Sequence, residues 1–115
     1  MKRMTASFRH AFRGIGYALR GRNFRIEVVS AAVVIGLGIW LGIGGTDMTL
    51  VIFASGFVLA LEATNSAIEE VCNKFHPEEH PHIALIKDLA AGAVLISAIT
   101  AAAIGLIVFH PYLFR

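Results

Sequence analysis

Little in this chain can be crosslinked, kinked or charged. Its 115 residues include one cysteine, Cys72, so no internal disulfide can form. Cys72 sits among polar residues and reads as a small half-buried side chain rather than a reactive thiol. Only three prolines are present, Pro77, Pro81 and Pro111, which leaves long stretches free to be helical. Charged residues make up 16% of the chain, and none falls between Val28 and Ile43. Soluble phosphate-binding signatures are missing as well. Gly14-Ile15-Gly16-Tyr17 and Gly36-Leu37-Gly38 lack the further glycine that such a cradle needs, and no Walker loop occurs. No Ser-His-Asp arrangement can be argued. With 57% hydrophobic residues and a mean hydropathy of +0.71, a small water-soluble domain is excluded. A chain this short could not bury so much apolar surface by itself.

What charge there is lies unevenly. Seven of the ten Lys and Arg residues fall within the first 25 positions, ending at Arg20, Arg22 and Arg25. A hydrophobic span follows at once, so the basic arm reports membrane topology and not nucleic-acid binding. Residues 5–22 carry Phe8, Phe12, Ile15 and Leu19 at helical spacing, with Arg9, Arg13 and Arg20 off that stripe. This pattern predicts an amphipathic interfacial helix. Three spans follow, over 28–43, 48–71 and 89–109. Gly44-Gly45-Thr46-Asp47 forms a turn between the first two, with Asp47 as N-cap. A polar connection over residues 73–86 precedes the third span, which His110-Pro111 ends. The fold expected is therefore an all-α integral membrane protein with a single domain over 1–115. Lys and Arg favour the cytoplasmic side, which puts the N-terminus and the residue 73–87 loop inside and Arg115 outside.

The informative residues end the second apolar run. Glu62, Asn65 and Glu69 are spaced i, i+3, i+7 and share one helix face. A carboxylate at the centre of a span costs roughly 2.5–3.5 kcal/mol on insertion scales, so acids on such a segment mark a site. Lys87 and Asp88 open the third span at the level of Glu69. Carboxylates and an amide oxygen suit Mg²⁺, and an interfacial lysine suits a phosphate. Together they form an inventory for phosphoryl transfer from a nucleotide to a lipid hydroxyl, although polar pairing within a helical bundle would use the same residues. His76, His80 and His82, with Glu78 and Glu79, read as a solvated loop rather than a closed metal site. Ala93, Ser97, Ala101 and Gly105 form a ridge of small residues, echoed by Gly38 and Gly42, that lets helices approach closely in lipid.

The stretch Glu62-x-x-Asn65-Ser66-Ala67-Ile68-Glu69, followed by Lys87-Asp88-x-Ala90-Ala91-Gly92-Ala93-Val94-Leu95, resembles the small bacterial diacylglycerol kinase and undecaprenol kinase family. Gly16-Tyr17, Arg22-Asn23-Phe24-Arg25 and the His-Pro loop extend the resemblance over nearly the whole chain. The resemblance implies a homotrimeric bundle in the bacterial inner membrane, with composite sites, MgATP as donor and a lipid alcohol as acceptor. It implies Glu62 as general base and Glu69 as a Mg²⁺ ligand. Asn65, Lys87 and Asp88 match residues that bind or orient ATP and the phosphate. Tyr17 matches an aromatic near the nucleotide, and Arg13 a basic residue on the surface helix. The Ala90–Val94 stretch looks more like the undecaprenol branch. Two departures stand out. Gly21 replaces a common acidic residue that helps hold metal, with Glu27 six positions on, and Asn73 stands where an aspartate is common. Two other readings remain open here: a trimeric nucleotide-binding relative with little or no activity, and a small transporter or proton relay using Glu62. The absence of repeats or broken helices speaks against transport.

Overall fold

The computed structural model describes residues 1–75 and 80–114, and these form four helices. His76, Pro77, Glu78, Glu79 and Arg115, which entered the loop and topology readings above, lie outside the described residues. Helix α1 covers Lys2–Ala18, α2 Arg22–Leu41, α3 Gly45–Phe75 and α4 Pro81–Leu113. The last three are long and apolar enough to cross a membrane. Helix α3 is central, packing against α4 along most of its length and against α2, while α1 touches it lightly.

Helix α1 begins and ends earlier than the sequence pattern suggested, because the chain needs Leu19 to Gly21 to turn into α2. The Arg25 guanidinium closes that corner. Its Nη1 donates to the carbonyls of Leu19 and Arg20 at 3.1 and 3.0 Å, placing a cation on the open carbonyls at the end of α1. The stripe of Phe8, Phe12 and Ile15 on α1 stays exposed.

At the other end of α2 the backbone forms a Schellman turn. Gly42 adopts φ +67°, its N–H donates to Ile39 O, and the Ile43 N–H donates to Gly38 O, both at 3.1 Å. Gly38 lies beneath the returning chain. A Cβ there would meet Ile43 Cδ1 at 2.9 Å and Met48 Cε at 3.0 Å. Gly38 and Gly42 thus act within one chain, in a corner, and Gly42 is there for its backbone rather than its size. Gly42→Ala should lower stability by about 1–2 kcal/mol, the cost of a left-handed non-glycine residue, measured as a fall in thermal midpoint in detergent. Asp47 is not an N-cap, since α3 already starts at Gly45. Its carboxylate instead lies 3.4 Å from the Tyr112 hydroxyl, which also accepts from Gly44 N–H at 3.3 Å. This ties the α2–α3 turn to the end of α4. A small apolar core of Ile43, Val51, Val108 and Phe109 surrounds the tie. Helix α4 therefore runs through Pro111 to Leu113. So near the helix end, proline sacrifices a single backbone bond.

The connection between α3 and α4 is also shorter than the run of polar residues implied. Asn73 belongs to the last turn of α3, and Ile83 to Ile86 to the first turns of α4. Pro81 sits at the first helical positions of α4, where its missing N–H is harmless, and the His80 side chain caps the helix by accepting from His82 N–H at 3.1 Å. Helix α3 is about 46 Å long at 1.5 Å per residue, so it outreaches a hydrocarbon core of about 30 Å and projects into water.

Candidate active site

The face of α3 turned into the bundle carries Val51, Ala54, Val58, Glu62, Asn65 and Cys72 as buried residues. Its spacing of three and four is that of an ordinary apolar packing seam. In the middle of the seam, valine and alanine give way to a carboxylate and an amide. Glu62 is 6% exposed and Asn65 8% exposed. Glu62 lies about 26 Å from the start of α3 and so near the far boundary of the hydrocarbon core.

The structure joins the sequence-predicted residues in two sets. In the first, Asn65 Nδ2 donates to Glu69 Oε1 at 3.0 Å, while Glu62 lies two turns deeper than Glu69 on the same face. Glu69 is exposed. In the second, half-buried Lys87 on α4 donates from Nζ to Asn73 Oδ1 at 2.6 Å. Asp88 is exposed beside it. The residues on α1 form a separate wall. Arg13 and Tyr17 are exposed. The Arg20 guanidinium carbon lies 4.9 Å from the Tyr17 ring centroid, a cation–π pair. Tyr17 and Arg20 line a groove of about 790 Å³ whose α3 wall is Ala63, Ser66, Ala67 and Glu70. That wall is the α3 face next to the Glu62 stripe.

Glu27 takes a larger part than the sequence suggested. On α2 its Oε2 is buried and lacks a hydrogen-bond partner among the described residues. It also heads a groove of about 440 Å³ that continues between α2, α3 and α4 past Val34, Val58 and Ala101. Its position on the polar approach to the first span hid this. A helical wheel from Phe24 would have placed it roughly on the same face as that buried ring. Gly21 at the start of α2 has φ −76° and ψ 134°, values open to any residue, so its lack of a side chain is no backbone requirement. Ala101 and Gly105 of the small-residue ridge border the same groove, and Ser97 is fully buried with its hydroxyl donating to Val94 O at 2.7 Å.

Among the described residues no group of three His, Cys, Asp or Glu side chains is placed to hold a metal ion alone. A nucleotide-borne Mg²⁺ asks for less, since phosphates and waters supply most of its ligands. Asn65 Oδ1 is buried without a partner and the Glu69 carboxylate is exposed beside it. These are hard oxygen donors, and they fit such an ion.

One face of a helix long and apolar enough to span a membrane thus carries a buried carboxylate, a buried amide and an exposed second carboxylate. The family described as prokaryotic diacylglycerol kinase matches residues 9–109. The undecaprenol kinase of Bacillus subtilis (strain 168) is 33% identical, over 98% of this chain and 93% of that protein. The diacylglycerol kinase of Synechocystis sp. is 36% identical, over 89% of this chain and 59% of the longer relative. That of Escherichia coli (strain K12) is 29% identical, over 88% of this chain and 89% of its own length. The chain belongs to the prokaryotic diacylglycerol kinase family, and with it to the ATP-dependent lipid kinases. It is a multi-pass membrane protein.

Proposed function

We propose that this chain transfers the γ-phosphoryl group of MgATP directly to the hydroxyl of a membrane lipid alcohol, undecaprenol in preference to diacylglycerol. The observation that carries the reading is the Glu62–Asn65–Glu69 stripe, buried at its deep end and exposed at its shallow end. Such a gradient suits a reaction whose acceptor arrives in lipid and whose donor arrives in water. Glu62 accepts the lipid hydroxyl proton as the new O–P bond forms, the bond from γ-phosphorus to the bridging oxygen breaks, and ADP leaves. Asn65 Oδ1 and Glu69 would hold Mg²⁺, which when bound offsets the phosphate charge. Lys87 meets the phosphates as a point charge, with Asp88 beside it. Tyr17 and Arg13 on α1 border the nucleotide. The preference for undecaprenol rests on the Ala90–Val94 stretch, and the Bacillus relative that matches nearly end to end is an undecaprenol kinase.

The functional protein in this reading is a homotrimer in the bacterial inner membrane. The many apolar side chains left exposed, among them Trp40, Phe53 and Leu106, suit burial by lipid and by further copies. The basic first 25 residues place the N-terminus in the cytoplasm. Single cysteines at positions 2 and 113, on a Cys72→Ala background, should react with an impermeant maleimide from opposite faces of vesicles. Reaction of both from one face overturns that orientation.

Radiolabelled ATP offered with a panel of lipid alcohols in bilayers tests the function. Labelled undecaprenyl phosphate should form faster than labelled phosphatidic acid. Nucleotide binding with no labelled lipid from any alcohol would overturn the kinase assignment for this chain.

A further inference from the structure

The Arg22-Asn23-Phe24-Arg25 segment takes no part in the chemistry of the Glu62–Glu69 stripe, yet it builds the corner on which α1 turns. The Tyr17 and Ala18 carbonyls accept from Arg20 and Gly21 N–H at 3.1 and 3.0 Å, which ends α1 in a tight turn. The next two carbonyls, of Leu19 and Arg20, both accept from Arg25 Nη1. That nitrogen carries two N–H groups, one for each carbonyl. A single side chain from the first turn of α2 thus grips two successive peptides of the corner. Other restraints on the heading of α1 are weak among the described residues. The helix touches α3 lightly, and its Phe8, Phe12 and Ile15 stripe is exposed. Lipid beneath an amphipathic helix sets its depth and its rotation about its own axis, but every heading in the plane buries the same stripe. Arg13 lies about 9 Å along the helix from Leu19, so a swing of about 10° moves it by about 1.6 Å.

We propose that Arg25 is a positioning residue that sets the heading of α1 through the Leu19 and Arg20 carbonyls, and so holds Arg13 and Tyr17 at the nucleotide. The inference rests on the reading of Arg13 and Tyr17 as neighbours of the nucleotide. With the grip in place, Ala11, Gly14 and Tyr17 stay across their groove from Ser66 and Glu70. Arginine suits the task because its planar guanidinium presents donors in a fixed geometry. A lysine keeps the charge on a shorter and freer stem, and a glutamine is shorter still and uncharged. The two substitutions therefore grade the grip.

The test compares the wild-type chain with Arg25→Lys, Arg25→Gln and the control Arg13→Gln/Tyr17→Ala, each as the full chain in bilayers. Its readouts are kcat, KM for MgATP, KM for the lipid and the Kd of a non-hydrolysable ATP analogue. A further readout is the distance between spin labels on Met4→Cys and Val71→Cys, both exposed positions, on a Cys72→Ala background. Dilution with unlabelled chains confines that readout to distances within one chain. Arg25→Gln should broaden the distance distribution and raise KM for MgATP and the analogue Kd roughly 3- to 10-fold, the scale of hydrogen bonds to a charged group near water. Arg25→Lys should fall between it and wild type. The lipid KM and kcat at saturating MgATP should hold. A corner that only stabilised the fold would lower the thermal midpoint and the active fraction and spare both KM values and the distance, and that result overturns the proposal. Should Arg25→Gln fail to fold, a wild-type distance distribution and nucleotide affinity in Arg25→Lys overturn it. If the control weakens nucleotide binding while both Arg25 variants bind normally, only the positioning role falls. If the control itself binds normally, the nucleotide reading of α1 fails and the proposal fails with it.

Discussion

Glu62→Gln should lower turnover by about 10²–10⁴-fold, the usual contribution of a positioned general base, while leaving the Kd for MgATP within about twofold. A lipid alcohol is a poor nucleophile until its proton is taken. Glu62 is the buried carboxylate of the α3 stripe, about 10 Å deeper than Glu69 along the helix axis. In the proposed reaction that depth would set it beside the hydroxyl of a lipid acceptor. Glutamine keeps the shape and the hydrogen-bonding reach but cannot take the proton. In wild-type protein, turnover should fall on the acid side as the base protonates, and the acid limb should be missing from what activity Glu62→Gln retains. Near-normal turnover in the variant would move the catalytic effect to substrate positioning.

Glu27 complicates this picture and can be separated from it. It is a second carboxylate with a buried, unpartnered oxygen, and it heads the groove between α2, α3 and α4. If the two act as a unit, removing either one disturbs the other, and the double variant Glu27→Gln/Glu62→Gln will lose less than the two single losses combined.

Helix content, the three apolar runs and the acidic stripe could be read directly from residue spacing, because membrane spans and helical faces are written locally. The Glu62, Asn65 and Glu69 face needs only the 3.6-residue period. What spacing could not show was which faces meet. Glu27 looked like part of a polar approach, and its place at the head of the α2–α3–α4 groove depends on how α2 crosses α3. Asn73 looked like loop, because polar residues ahead of two prolines resemble a connection. Yet α3 outreaches the bilayer, and Pro81 starts a helix as readily as it ends one. Gly38 and Gly42 had the spacing of a helix–helix contact. Only the positive φ at Gly42 and the fold-back of Ile43 show that they build a corner. The α1 residues Tyr17 and Arg13 came from family resemblance, and one chain sets Tyr17 on a neighbouring groove rather than on the stripe itself.

Glu69→Gln should lower turnover by about 10²–10³-fold at cellular Mg²⁺, because a metal that offsets phosphate charge contributes several kcal/mol to the transition state. Its signature differs from that of Glu62→Gln. The apparent Mg²⁺ requirement should rise and nucleotide affinity should fall, since the metal and the nucleotide arrive together. The Asn65 amide now donates to Glu69 Oε1 at 3.0 Å, and glutamine can preserve that bond only by presenting its own carbonyl oxygen, without the charge. Gly21→Glu is the companion experiment. The backbone at Gly21 admits a side chain, although its Cβ would come within 3.3 Å of Ala18 O, which calls for a small local adjustment. An acid restored there should lower the Mg²⁺ requirement of the otherwise wild-type chain. If Glu69→Gln leaves the Mg²⁺ titration unchanged, the metal is not held by the stripe. If Glu69→Gln shifts the titration and Gly21→Glu does not, the stripe alone meets the needs of the ion, and the missing acid at position 21 is no deficit.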